Sequence, residues 1–258
     1  MARFGRRASV HHEEDEGYFV SMSDMLTGLL FVFIILLLYF ALQFKQTTEE
    51  LTGANKARKE LLEELQQRLQ KQNLRVEIDP VTGVLRMSEN EKDAILFASK
   101  SPNLTDQGRG AVKKVADALA AVLPCYTEDH PSLKCSRPSK SPYRIDALFI
   151  EGHTDKQSYI LGGRDRNIDL SAERAINTYL AMLQRQPELD GLTTVYRGLG
   201  GKSDRPVPIL SVSGYGAKRP VPGHDSFNLR DLSTNRRIDL RFLMATPDPA
   251  GIRNMLVK

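Results

Sequence analysis

Three residues of this 258-residue chain have types and neighbours that could do chemistry: Asp24, Asp155 and Arg174. Asp155 closes the run Glu151-Gly152-His153-Thr154-Asp155, and Arg174 stands in Asn167-x-x-Leu170-Ser171-x-x-Arg174-Ala175. An Asp and an Arg brought together can hold a zwitterionic amino-acid group: the guanidinium takes a carboxylate through paired N–H bonds and the Asp takes an ammonium. A plain Asp–Arg salt bridge is the alternative. Hydrolysis fits poorly, because one His beside one Asp lacks a nucleophile or a second metal ligand at recognisable spacing. No metal, cofactor or enzymatic turnover is therefore expected, and His153 reads as a structural hydrogen-bonder. A third cluster is Gly214-Tyr215-Gly216…Pro220, followed by Asn235-Arg236-Arg237-Ile238.

Asp24 belongs to a different setting. From Phe19 to Leu42 the chain reads FVSMSDMLTGLLFVFIILLLYFAL. Such a stretch rises about 36 Å as a helix, enough to span a bilayer with some tilt. No small-x-small cleavage site follows it, so it reads as a retained single-pass helix rather than a signal peptide. A carboxylate at membrane depth costs about 2.5–3.5 kcal/mol even on the mild insertion scale, and so marks a functional site by default. Ser21, Thr27 and Gly28 lie three or four positions from Asp24, on one helix face. That small polar stripe suits close packing against partner helices, with Asp24 on a wet or protein-lined path where it can alternate between charged and neutral forms. The plainer reading is an anchor whose Asp24 reaches back to the interface. Arg3, Arg6 and Arg7 precede the span, which favours a cytoplasmic N-terminus.

The elements that must position these groups follow from the rest of the chain. Composition is 41% hydrophobic and 26% charged, ordinary for a folded protein, and the mean hydropathy of −0.35 excludes a polytopic membrane protein. A net charge of +4 carries no nucleic-acid footprint. Residues 45–75 are rich in helix formers, with Leu51, Leu62, Leu65 and Leu69 in a coiled-coil register, and read as a helical stalk or linker that pairs two copies or stands as a solvated single helix.

From about Val76 strands and helices alternate. A hairpin is expected over VEID-PVTG-VLRM, a short strand over Asp93–Phe97 and a helix from its N-cap Thr105 to Leu123. A strand is expected over Arg144–Gly152. A second helix is expected over Leu170–Leu183, capped by Ser171 or Asp169, with Ala175, Ile176, Tyr179 and Leu183 inward. A closing strand is expected over Arg236–Met244. Cys125 and Cys135 flank a Pro-rich loop; in an oxidising compartment they read as a disulfide, and otherwise as two free thiols. The fold class is α+β: a tail (1–18), one transmembrane helix (19–44), a stalk (45–75) and an α/β sandwich domain (76–258).

The order GHTD…NxxLSxxRA…GYG…NRR resembles the OmpA-like peptidoglycan-binding domain over roughly Ile95 to Met244. The resemblance implies binding of a diaminopimelate-containing peptide stem through Asp155 and Arg174, with Asn167, Leu170, Thr154 and Arg237 beside them. The Asp155–Asn167 segment is longer than is usual in that family, Arg166 stands where an aromatic often precedes the Asn, and an insert covers about Arg197 to Ile209. With the N-terminal helix and its Asp24, the chain also resembles the B subunits of proton-driven stator units, such as those of the flagellar motor. The string SMSDMLTGLLFVF looks closer to the stator-like B subunits of Zorya anti-phage systems. That likeness implies a multi-pass A-subunit ring around two B helices (hence a homodimer), proton flow past Asp24, an inner-membrane location and a periplasmic C-terminal domain.

Overall fold

The computed structural model describes residues 11–89, 95–196 and 205–245. Arg3, Arg6 and Arg7, the first residues of the strand expected at Asp93–Phe97, and most of the insert expected from Arg197 lie outside the described residues. The chain divides into two units, Met1–Glu50 and Leu51–Lys258.

The first unit is the leading part of α1 (His11–Lys71). Within it Phe19–Lys45 forms 27 residues of mean hydropathy 2.8 with exposed side chains. It is the one helix among the described residues long and apolar enough to cross a membrane.

The second unit is built on a five-stranded sheet. β1 (Glu77–Asp79) and β2 (Val84–Ser88) form the expected hairpin, and β3 (Ile145–His153) is the longest strand among the described residues. Two small ribbons follow, β4 (Ile160–Leu161) with β5 (Arg164–Asp165), and β6 (Thr193–Tyr196) with β7 (Arg205–Pro208). β8 (Leu210–Gly214) and β9 (Arg237–Met244) complete the sheet in the order β1-β2-β9-β3-β8, with only the β3–β8 pair parallel. Leu148 and Ile150 of β3 and Ile238, Leu240 and Phe242 of β9 present one alternating apolar face and are fully buried.

Three helices accompany that sheet. α2 (Asp106–Val122) starts where Thr105 accepts a bond from the Gly108 N–H, as its N-cap chemistry requires, and buries Val112, Val115, Leu119 and Val122. α3 (Asn167–Arg185) packs against β3, β8 and α2. α4 (Leu229–Asn235) is capped by Asn228 and leads into β9. Cys125 and Cys135 form the expected disulfide, with their Cα atoms 4.5 Å apart.

Several expectations need correction. Residues from Leu51 onward belong to the folded domain, so 45–75 is not simply a spacer: Leu61, Leu62, Leu65 and Leu69 are buried in the same core as α2 and the sheet. The leucines have the spacing of a two-stranded seam because any amphipathic helix shows that spacing; here the domain itself buries the stripe. Phe97 makes only an isolated bridge to Leu104 instead of ending a strand. α3 begins three residues earlier than expected, and neither Ser171 nor Asp169 caps it. Of the expected inward residues Ala175 is buried and Tyr179 and Leu183 pack partly buried against the core, but Ile176 is exposed; Leu170, Ser171, Arg174, Thr178 and Met182 are also buried, because the face must cover both the sheet and the polar strand ends.

Candidate functional site

The site forms where β3 ends. Two glycines bring α3 there: a Cβ on Gly152 would collide with the Ser171 carbonyl, and one on Gly214 would collide with the Ala172 backbone. Their absence of side chain lets Ser171 and Ala172 of α3 lie against the strand ends. Ser171 then locks the approach, donating to the Ile168 carbonyl and accepting the Gly216 N–H, each at 2.8 Å. The Thr154 N–H donates to the Gly216 carbonyl at 3.1 Å.

The result is a half-open cavity of about 320 Å³. Five of the expected residues line it: Thr154, Asp155, Asn167, Leu170 and Arg174. Asp155 and Arg174 do not pair with each other, so the simple salt-bridge alternative fails. Asp155 accepts the Gln157 N–H at 2.9 Å and a bond from Arg236 Nη1 at 2.9 Å. Arg174 is buried, lies 4.8 Å over the Phe97 ring, and donates to the carbonyls of Ser101 at 3.0 Å and Ala98 at 3.3 Å. A guanidinium has five N–H donors and an ionised carboxylate about four acceptor positions, so both groups keep capacity for a ligand. Burial pushes the Arg174 pKa down, against the charges of Glu89 and Asp155, which hold it up. Thr154 is buried, and its Oγ1 has no hydrogen-bond partner among the described residues. A donor left so at a cavity wall is ready for a ligand or water. Asn167 donates to the Gln157 carbonyl at 2.9 Å and fixes the loop after Asp155.

Arg237 is the exception and is a correction. It lies away from the cavity, buried on the opposite face of the sheet, where it donates to Asp239 at 3.0 Å and to the Arg219 carbonyl at 2.9 Å. Its neighbour Arg236 lines the cavity instead, bonding Glu89 at 2.6 Å and Asp155 at 2.9 Å. Although burial lowers the Arg236 pKa, those two carboxylates outweigh it and raise it. Strand alternation carried the signal: Ile238, Leu240 and Phe242 point to the helices, so residue 236 shares their side and residue 237 does not. Glu89, Phe97, Lys100 and Tyr159 also line the cavity and had no motif to reveal them.

His153 lies on that opposite face as well. It stacks on Tyr215 with ring centroids 5.3 Å apart, and neither ring nitrogen makes a hydrogen bond among the described residues, so it is a packing residue rather than a hydrogen-bonder. Burial pushes its pKa down to about 3, and the Arg237 charge adds to the effect. Glu151, His153 and Asp239 bring three potential metal donors within 4.8 Å. Their carboxylates are already engaged, Glu151 by Arg241 at 2.8 Å and Asp239 by Arg86 and Arg237, each at 3.0 Å. Three guanidiniums against two carboxylates oppose a further cation.

In the first unit, Asp24, Ser21, Thr27 and Gly28 are all exposed. Thr27 Oγ1 donates to the Ser23 carbonyl at 2.7 Å, so its hydroxyl is satisfied within the helix. No side chain approaches the Cβ position of Gly28, which leaves room for a close neighbour.

The C-terminal unit is thus a mixed helix-and-sheet domain with a cavity that offers both charge signs, the class of site suited to a small zwitterion. No family model and no curated protein matches the chain. Among solved structures it is similar to a putative MotB-like protein from Desulfovibrio vulgaris, with 16% identity over 74% of this chain and 96% of that one and a TM-score of 0.48. It is similar to the periplasmic domain of MotB at 18% identity, over 67% and 69% of the two chains, with a TM-score of 0.42. A third likeness is to the cell wall anchor of the T6SS from Pseudomonas aeruginosa, at 17% identity over 72% and 97%, with a TM-score of 0.43.

Proposed function

We propose that this chain is the B subunit of a proton-driven inner-membrane complex anchored to peptidoglycan. The observation that carries the reading is the cavity lined by both Asp155 and Arg174, not paired with each other and each with unused bonding capacity, in a chain that also has an apolar helix bearing Asp24. Diaminopimelate ends in a group with one ammonium and one carboxylate, which is the charge pattern those two residues complement. The helix crosses the inner membrane with its N-terminus in the cytoplasm, and the disulfide-bonded domain lies in the periplasm, where that bond persists. Two copies stand inside a ring of multi-pass A subunits. Asp24 takes a proton from the periplasmic side and releases it to the cytoplasm, and each cycle changes its contact with the ring. The wall-bound domain gives the force something to act against.

Within this class, the string SMSDMLTGLLFVF favours a Zorya-type defence subunit over a flagellar one. A passive tether would have no use for a carboxylate beside Ser21, Thr27 and Gly28. The test is Asp24→Asn in the native host, scored by phage challenge and by swimming. Loss of phage resistance with unchanged swimming is the expected result. Unchanged resistance and swimming would leave the tether; loss of swimming alone would give the flagellar assignment.

A further inference from the structure

The cavity does not end at Asp155 and Arg174. A second hollow of about 200 Å³ adjoins it, and Lys100, Tyr159 and Leu170 line both. Its other wall is the β4–β5 ribbon and the start of α3, including Arg166 and Glu173. This ribbon is the segment that makes the stretch from Asp155 to Asn167 long.

Lys100 sits at the junction with a left-handed backbone, φ 54°. A residue with a side chain holds that conformation only where its surroundings impose it. The surroundings here are explicit. The Ser101 N–H closes a turn onto the Ala98 carbonyl at 3.0 Å, and Arg174 donates to the carbonyls of both residues. The same guanidinium that lines the first cavity therefore fixes the turn that carries Lys100. The Lys100 ammonium has no ion-pair partner among the described residues.

The far wall also carries an unsatisfied donor. Asp169 Oδ2 lies 2.5 Å from Arg164 Nη2 and 2.5 Å from Arg166 Nε. One carboxylate thus faces two guanidiniums, and the buried Arg166 Nε makes no hydrogen bond of acceptable geometry. Asp169 and Glu173 line the same hollow and match Lys100 and Arg166 in number.

We propose that the second hollow is a subsite for another carboxylate of the same bound peptide, with Lys100 and Arg166 as its donors. The assignment rests on reading the first cavity as a stem-peptide site. In the tripeptide Ala-γ-D-Glu-diaminopimelate, the residue next to diaminopimelate carries a free α-carboxylate. The subsite therefore separates stems with that free acid from stems in which it is a carboxamide.

The experiment titrates the full chain in detergent with two synthetic tripeptides, one with the free α-carboxylate and one with the α-carboxamide. Wild type should prefer the free acid. Lys100→Met should lower free-acid affinity about fivefold more than it lowers carboxamide affinity, the scale of an exposed ion pair. Glu173→Gln should tighten the free acid selectively. Retained carboxamide binding also reports an intact fold. Equal wild-type affinity for the two peptides, or equal loss of both in Lys100→Met, would overturn the subsite while leaving the stem site standing. Binding of neither peptide by wild type would overturn both.

Discussion

Arg236 holds two carboxylates, Glu89 and Asp155, on one wall of the cavity, and Arg237 holds Asp239 on the other side of the sheet. Their removal should therefore have separable effects. Arg236 is partly exposed, so Arg236→Ala should cost about 1–3 kcal/mol of stability and also weaken ligand binding by leaving two like charges facing each other. Arg237 is buried, so Arg237→Ala should cost more, about 3–5 kcal/mol, in thermal or denaturant unfolding, while any surviving folded protein binds normally. His153 gives a pH prediction. Its folded pKa of about 3 lies below the unfolded value near 6.5, because protonation would place a charge in a buried, arginine-rich layer. Its contribution to stability is complete above about pH 6.5 and is lost as pH falls from there towards 3. His153→Gln should flatten that part of the unfolding-versus-pH curve.

At the level of elements, the second half of α1 is the clearest case of a local pattern with two solutions. Leu62, Leu65 and Leu69 at helical spacing fit either a partner helix or the domain's own core, and no sequence rule distinguishes them, since the choice depends on what packs nearby. The domain wins here. Leu61→Ala or Leu65→Ala should then cost about 2–5 kcal/mol each in unfolding of the domain, where an exposed stalk position would cost almost nothing. Arg137, just past the disulfide loop, pairs with Glu64 of the same helix. Burial raises the Glu64 pKa, but its bonds to Arg137 and Arg68 outweigh this and lower it overall. Removing the Cys125–Cys135 bond should lower stability by about 2–4 kcal/mol through the freed loop and loosen that clamp, measurable as a shift in melting temperature under reductant. The strongly amphipathic elements, α2, β3 and β9, were legible in the sequence to within a residue or two. The ribbon β4–β5, the ribbon β6–β7 and α4 were not, being short and held by turns and caps rather than by a hydrophobic period. The same division runs through the site. Asp155, Arg174, Thr154, Asn167 and Leu170 carry motif signatures, whereas Glu89 and Lys100 reach the cavity only through the tertiary fold.

For the whole molecule, the compact unit begins at Leu51, well before the first strand. A fragment of residues 51–258 should unfold cooperatively in calorimetry. A fragment of residues 76–258, stripped of the leucines that complete the core, should fail to do so. The first unit contributes the apolar helix bearing Asp24, and the second contributes a cavity of both charge signs; the proposed wall-anchored, ion-driven subunit would use both. The proposed wall binding is the part on which the rest depends. Calorimetric titration of the full chain in detergent with Ala-γ-D-Glu-diaminopimelate, beside the tripeptide ending in lysine, addresses it most directly. Binding of the diaminopimelate peptide is expected, with the lysine peptide much weaker because it lacks the second carboxylate. Asp155→Asn should lower the first affinity by about tenfold or more, the loss of a charge-assisted bond. No binding by wild type, or undiminished binding by Asp155→Asn, would contradict the assignment.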